Sequence, residues 1–268
     1  MPVNRLITQI YEIQSPDEAR LCADCGVDHI GSVVVSANDW RQPAIYETIR
    51  TVAAANAKSS LILLFNDKKT VFSALSYYQP NIVHFCEDLT AFAGDSDLSA
   101  SLGPLIQLQA GIRSKFPEIQ IMRSIPIAEA GAGKRLPVLA FARLLEPVSD
   151  YFLTDTWMTG EELQPVCGFV GITGKTCDWH AASELVANTR IPVILAGGLS
   201  PENVYDSVVS VSPAGVDSCT RTNAVDDAGC PIRFKKDKEK VRKFVREARR
   251  AEQELYRRAA SEPLLTNR

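Results

Sequence analysis

The feature that most constrains this chain is a pattern repeated eight times: a short apolar run, then a stretch of helical periodicity. The runs fall at residues 6–10, 29–35, 60–65, 82–85, 119–125, 151–154, 193–196 and 215–217. Runs this short and this apolar suit strands buried on both faces, as in a parallel sheet covered by helices. Strands alternating with helices build βα units. Eight such units in succession predict an α/β chain closed into a single (β/α)8 TIM barrel rather than an open sheet. The chain's 268 residues admit one or two domains by length alone, but the strand count spends nearly all of them on one barrel. The expected division is a barrel with an extended C-terminal helix over residues 1–258 and a frayed tail over 259–268.

Composition excludes several classes. Hydrophobic residues are 46% and charged residues 23% of the chain, enough to build a core, so disorder is excluded as the main state. A net charge of −3 argues against a broadly basic nucleic-acid binder. There is no run of eighteen apolar residues, so no membrane-spanning helix is expected. The first twenty residues have no apolar core of the kind a secretory signal needs. The seven cysteines are odd in number and scattered through apolar stretches, which reads as reduced thiols in a cytoplasmic protein.

Three helices announce themselves locally. Ser15-Pro16-Asp17-Glu18 is a capping box with proline at the first helical position. Behind it, Ala19, Cys22, Ala23 and Gly26 share one face. Ser200-Pro201-Glu202 is expected to start a second helix, with Val204, Val208 and Val211 on one stripe. The last helix carries Val241, Phe244, Val245 and Ala248 on one face. Between residues 235 and 258 it holds eleven basic and five acidic residues, a solvated face that also admits contact with an acidic partner or a second subunit in a homodimer. Two segments break the alternation and are expected to be long loops beside the barrel mouth: residues 90–103 and 223–234.

The strongest chemical signal is Ala196-Gly197-Gly198-Leu199-Ser200-Pro201-Glu202. An apolar strand runs through two glycines toward a helix, an arrangement whose free N–H groups suit phosphate. The bland alternative is a tight turn. Gly171-Ile172-Thr173-Gly174-Lys175-Thr176 is two residues short of a nucleotide P-loop and reads as a mobile glycine loop, with Cys177-Asp178-Trp179 opening the next helix. Asp155 sits at the tip of the sixth strand. Partial burial there would raise its pKa toward use as a general acid, whereas a purely structural Asp155 would cap loop backbone. Asp217 follows Val216 on the last strand, and His84 and Cys86 share a strand face. With Cys177 and Cys219 these could form a soft metal site, but no metal-ligand spacing supports one, and no cofactor is expected. Cys22-x-x-Cys25 lies inside a helix pattern, a weak redox signal.

These motifs together resemble phosphoribosylanthranilate isomerase, the (β/α)8 enzyme of tryptophan biosynthesis. Phe152-Leu153-Thr154-Asp155-Thr156 is similar to that family's acid-bearing strand, and Thr173-Gly174-Lys175-Thr176-Cys177-Asp178-Trp179 to its glycine loop. Leu195-Ala196-Gly197-Gly198-Leu199 with Pro201-Glu202-Asn203-Val204 resembles its phosphate-binding strand and helix. Val216-Asp217 and Lys236-Asp237 match its last strand and last helix, and weaker echoes cover residues 15–31 and Phe65-Asn66. The resemblance implies an aldose-to-ketose (Amadori) rearrangement, in which a general acid protonates the ribose ring oxygen and a base takes a proton from the neighbouring carbon. Asp155 falls on the acid. The family's base is the cysteine of Lys-Ile-Cys-Gly on strand one, a motif that reads Gln9-Ile10-Tyr11-Glu12 here. Tyrosine, with a reference pKa of about 10 against about 8.5 for cysteine, is the poorer base at neutral pH. The family's Gln-Leu-His is His84-Phe85-Cys86, and its Ser-Gly in the phosphate cradle is Thr220-Arg221, whose guanidinium could hold a phosphate or carboxylate. The family's Ser-Pro-Arg has no clean match; Arg41 is the nearest arginine.

The expected site is therefore Asp155 and Tyr11 for catalysis, with Glu12 and Cys86 as other candidate bases. Gly197, Gly198, Thr220 and Arg221 are expected to hold phosphate, with Arg41, His84, Cys86, Gly174 and Asp217 in the substrate pocket. Three readings stay open at this point: an isomerase with a changed base, a diverged barrel acting on another phosphorylated small molecule, and a non-enzymatic ligand-binding or interaction protein.

Overall fold

A computed structural model describes residues 5–133, 136–158 and 165–261. All eight expected strands form: β1 (Ile7–Ile10), β2 (His29–Val34), β3 (Lys58–Leu63), β4 (Ile82–Phe85), β5 (Gln120–Ala128), β6 (Tyr151–Trp157), β7 (Val193–Leu195) and β8 (Gly215–Ser218). Each pairs in parallel with the next, and β1 closes on β8 with Gln9 opposite Asp217. The (β/α)8 barrel is thus the fold. β5 and β6 run three residues past their apolar runs, because Pro126↔Asp155, Ile127↔Thr156 and Ala128↔Trp157 stay paired. Asp155 ends the apolar pattern without ending the strand.

The helices are α1 (Pro16–Asp24), α2 (Pro43–Ala54), α3 (Lys68–Tyr78), α4 (Leu98–Lys115), α5 (Val138–Leu145), α6 (Trp179–Asn188), α7 (Val204–Val211) and α8 (Lys238–Ser261). Ser15 caps α1 by accepting from the Glu18 amide at 3.3 Å. Only half of the capping box forms, because the Glu18 carboxylate accepts instead from the Lys236 amide at 2.7 Å. Asp178 caps α6 through the amides of His180 and Ala181. The expected valine stripe of α7 is buried.

Four expectations need correction. Residues 90–103 are not a long loop: a short 3-10 turn is followed by α4, capped by Asp97 on the Ala100 amide at 3.0 Å. Burial of Leu102 and Leu105 on one face carries the helix through Pro104. Residues 223–234 form most of a hairpin, β9 (Asn223–Val225) against β10 (Pro231–Lys236). Its turn is tied by Asp226, whose carboxylate accepts from the Ala228 and Cys230 amides. The helix expected at Ser200 begins instead at Val204, after a turn. The last helix continues to Ser261, past the expected boundary at 258; residues 262–268 lie outside the described residues.

α8 buries Val241, Phe244, Val245 and Ala248 as its periodicity predicts. Its charges are not all solvated. Arg249 pairs with Asp28 at 2.5 Å, and Glu252 accepts from the Leu6 amide at 2.5 Å, latching the helix to the start of β1. No helix among the described residues is long and apolar enough to cross a membrane. All seven cysteines are unpaired.

Candidate active site

The carboxyl ends of the strands open on a mouth with two lobes that share Asp155, Ile172, Asp217 and Cys219. One lobe, of about 350 Å³, is lined by Gly174, Gly197, Gly198, Thr220 and Arg221. The other, of about 530 Å³, is mainly apolar, with Val33, Ile62, Leu64, Leu153, Val166 and Phe169 beside Tyr11, Glu12, His84 and Cys86.

The glycine loop roofs both lobes. It is not free-hanging as expected. Val170 donates its amide to Cys86 O at 2.9 Å, and Asp88 donates to Gly168 O at 2.9 Å. At the other end the Ala130 amide donates to Thr176 O at 2.9 Å. Thr156 Oγ1 donates to Lys175 O at 2.8 Å. The two glycines after β7 exist for this loop. A Cβ on Gly198 would stand 2.6 Å from the Lys175 carbonyl carbon, and one on Gly197 would stand 2.4 Å from Thr156 Oγ1. Both residues have positive φ, +98° at Gly197 and +60° at Gly198, which glycine adopts without cost. Arg221 closes the lobe by donating twice to Gly174 O, at 3.1 and 2.8 Å.

Asp155 stands where the lobes meet. Burial pushes its carboxyl up to about 7, against the opposing hydrogen bond from Ser124. Asp217 is likewise raised by burial to about 8, while Gln9 donates to it at 3.1 Å. Behind Asp155 a chain of hydrogen bonds crosses the barrel. Ser124 Oγ donates to Asp155 Oδ2 at 3.1 Å. Ser124 Oγ also lies 2.8 Å from His84 Nε2, His84 Nδ1 lies 2.8 Å from the Tyr11 hydroxyl, and that hydroxyl lies 2.5 Å from Ser60 Oγ. Burial holds His84 neutral, with its pKa down at about 3. While Asp155 is ionised, Ser124 spends its one proton on it, so in that state His84 donates from Nε2 and accepts at Nδ1. Tyr11 then donates to His84 and accepts from Ser60.

That assignment corrects the expected role of Tyr11. Its phenol is buried and held well above its usual range by desolvation, and its proton is committed to His84. A group so placed cannot take a proton from substrate at neutral pH. The ring fills the barrel beside Gly31, where a Cβ would lie 2.1 Å from it. Cys86 lines the apolar lobe, but burial raises its thiol well above the usual range too.

A family model for N-(5'-phosphoribosyl)anthranilate isomerase matches residues 142–247. The enzyme of that name from Methanosarcina acetivorans is 29% identical over 256 residues, covering 92% of this chain and 96% of the relative. That from Haloferax volcanii is 35% identical over 161 residues, 58% of this chain and 62% of the relative. The chain is similar to phosphoribosylanthranilate isomerases over most of its length. Solved isomerases of the family from Pyrococcus furiosus (TM-score 0.62, 21% identity, 92% of this chain and 100% of that one) and Thermotoga maritima (TM-score 0.63, 20% identity, 91% and 98%) share the fold.

For a phosphoribosylanthranilate isomerase relative, the expected site residues mostly converge. Asp155, Gly174, Gly197, Gly198, Asp217, Thr220 and Arg221 line one lobe, and Tyr11, His84 and Cys86 the other. Arg41 does not join them. Its exposed guanidinium stacks on Trp40 and Tyr77, 5.2 and 5.0 Å from the ring centroids, because aromatic faces beside it compete for the side chain. Residues 90–103 do not line either lobe. Among the described residues no group of three His, Cys, Asp or Glu side chains is placed to hold a metal. Sequence reasoning missed Ser60, Ser124 and Gln9, which complete the interior hydrogen bonds. Their signal was present: polar residues inside otherwise apolar strands, where an apolar residue would cost less.

Proposed function

We propose that this protein is an aldose–ketose isomerase of tryptophan biosynthesis that performs an Amadori rearrangement on phosphoribosylanthranilate. The observation that carries this reading is Asp155, a carboxyl raised to about 7 at the junction of a glycine-lined lobe closed by Arg221 and a mainly apolar lobe. A substrate with a phosphate at one end, an aromatic amine at the other and a sugar between them suits that layout. Asp155 is protonated over part of the neutral range and can give its proton to the ribose ring oxygen as the ring opens. Gly197, Gly198, Thr220 and Arg221 take the phosphate, and the apolar lobe takes the aromatic ring. Gly174, His84, Cys86 and Asp217 complete the pocket. No cofactor is required by this chemistry.

We place the protein in the cytoplasm, where seven unpaired thiols persist. A Thermotoga maritima relative is described as dimeric. A homodimer is the expectation here, checked by analytical ultracentrifugation. The test of function is turnover of phosphoribosylanthranilate by the purified, folded protein. Production of the ketose supports the proposal. No turnover above buffer refutes it and favours a second reading, a different phosphorylated amine, for which the Arg221 cap over Gly174 is the motivating departure.

A further inference from the structure

We propose that Glu12 is the general base of this enzyme, an inference that rests on the isomerase reading above. The residues after β1 break the alternation of a strand. Adjacent strand residues face opposite sides, yet Tyr11 and Glu12 line the same lobe. The cause is the backbone at Glu12, whose φ is +66°. Side-chain-bearing residues rarely adopt this conformation, and at functional sites it is held in place by its surroundings.

Those surroundings are specific. Glu12 is 2% exposed. Its Oε1 accepts from Arg233 Nε at 2.5 Å. Its Oε2 is buried with no hydrogen bond of ordinary geometry among the described residues, and the Cys219 thiol lies beside the same carboxylate. A buried carboxylate oxygen with unused lone pairs, in a cavity wall shared with Asp155, is placed to accept a proton. Arg233 comes from β10, where Phe234 takes φ +62° and the pairing with β9 shifts register. Lys236 anchors that strand, donating from Nζ to Cys219 O at 3.0 Å and Asn223 Oδ1 at 2.5 Å. The hairpin is thereby the support of Glu12, balancing its buried charge.

The other candidates are occupied. Tyr11 donates into the His84 chain, burial raises the thiols of Cys86 and Cys219, and Asp217 is tied to Gln9. β1 and β6 are separated by β8 and β7 around the barrel, so acid and base approach the sugar from different sides.

Asp155 protonates the ring oxygen as the C1–O bond breaks, and the amine nitrogen's electron pair forms the C1=N bond. Glu12 Oε2 removes the C2 proton, whose electron pair forms C1=C2 while the C=N pair returns to nitrogen. The enol hydroxyl returns its proton to Asp155, and Glu12 delivers its proton to C1, giving the ketose and both groups in their starting states.

The test uses the full chain, phosphoribosylanthranilate, and the same substrate deuterated at C2. Variants are Glu12→Gln, Glu12→Asp and Tyr11→Phe. In Glu12→Gln, kcat should fall by about 10²- to 10⁴-fold, with KM little changed. Glu12→Asp should keep part of the activity and show a larger C2-deuterium isotope effect than wild type. Tyr11→Phe should keep at least about a tenth of wild-type kcat. Wild-type kcat in Glu12→Gln, with wild type active, overturns this inference and leaves the isomerase reading standing. An inactive wild type overturns both. If Glu12→Gln does not fold, Glu12→Asp decides, and wild-type kcat and isotope effect there overturn the inference.

Discussion

Removing the Ser124 hydroxyl should move the alkaline limb of catalysis upward. Ser124 Oγ donates to Asp155 Oδ2 at 3.1 Å, and this bond opposes the burial that raises the carboxyl, leaving it at about 7. A hydrogen bond to a charged group contributes roughly 1.5–3 kcal/mol. At 3.1 Å the bond is long for a charged acceptor, so the lower end, about 1.5 kcal/mol, applies. At 1.36 kcal/mol per unit, Ser124→Ala should therefore raise the Asp155 pKa by about one unit, to about 8. The sign follows from the role. A general acid works when protonated, so kcat/KM is flat below the pKa and falls about tenfold per pH unit above it. The variant should hold its plateau about one unit further into alkaline pH than wild type, even if the plateau itself is lower. The assay is kcat/KM against phosphoribosylanthranilate from pH 5.5 to 9.5 for both proteins. A limb that stays in place, or moves to lower pH, would refute Asp155 as the acid whose ionisation is seen.

Asp155→Asn should abolish turnover and stabilise the fold. The raised carboxyl binds a proton in the folded state that the unfolded chain has lost, so stability falls as pH rises from about 4 to about 7 and is then flat. The asparagine variant should thus gain melting temperature most clearly at pH 8, and an unchanged or lower value would contradict the burial argument. Gly31→Ala places a Cβ 2.1 Å from the Tyr11 ring and should cost about 1–3 kcal/mol by chemical denaturation. Adding Tyr11→Leu should recover part of that loss, and strict additivity would show the contact is not the cause. Arg221→Ala should raise KM for phosphoribosylanthranilate about tenfold with kcat nearly unchanged, since the guanidinium is proposed to bind phosphate equally before and during reaction; an unchanged KM would remove Arg221 from the site.

Much of the fold was legible because it depends on short-range pattern. Eight apolar runs gave eight strands within a few residues, and the valine stripe of α7 and the apolar face of α8 were buried as their spacing requires. Punctuation was less legible. Residues 90–103, small and polar, suggested a loop, but Leu102 and Leu105, a helical turn apart, found a core to bury in. The hairpin at β9 and β10 has too few apolar residues to announce itself.

The sequence by itself determined the barrel, the carboxyl that ends the apolar run of β6 and the two glycines after β7, because each rests on periodicity or on a residue type where an apolar run stops. Tertiary structure alone decided what those residues face. It turned Tyr11 inward to His84 and Glu12 toward the mouth, sent Arg41 to an outer aromatic face, and brought Arg233 from 221 positions away to the end of β1. A side chain's direction after a strand ends depends on one backbone torsion and on partners remote in sequence, and neither is written in local pattern.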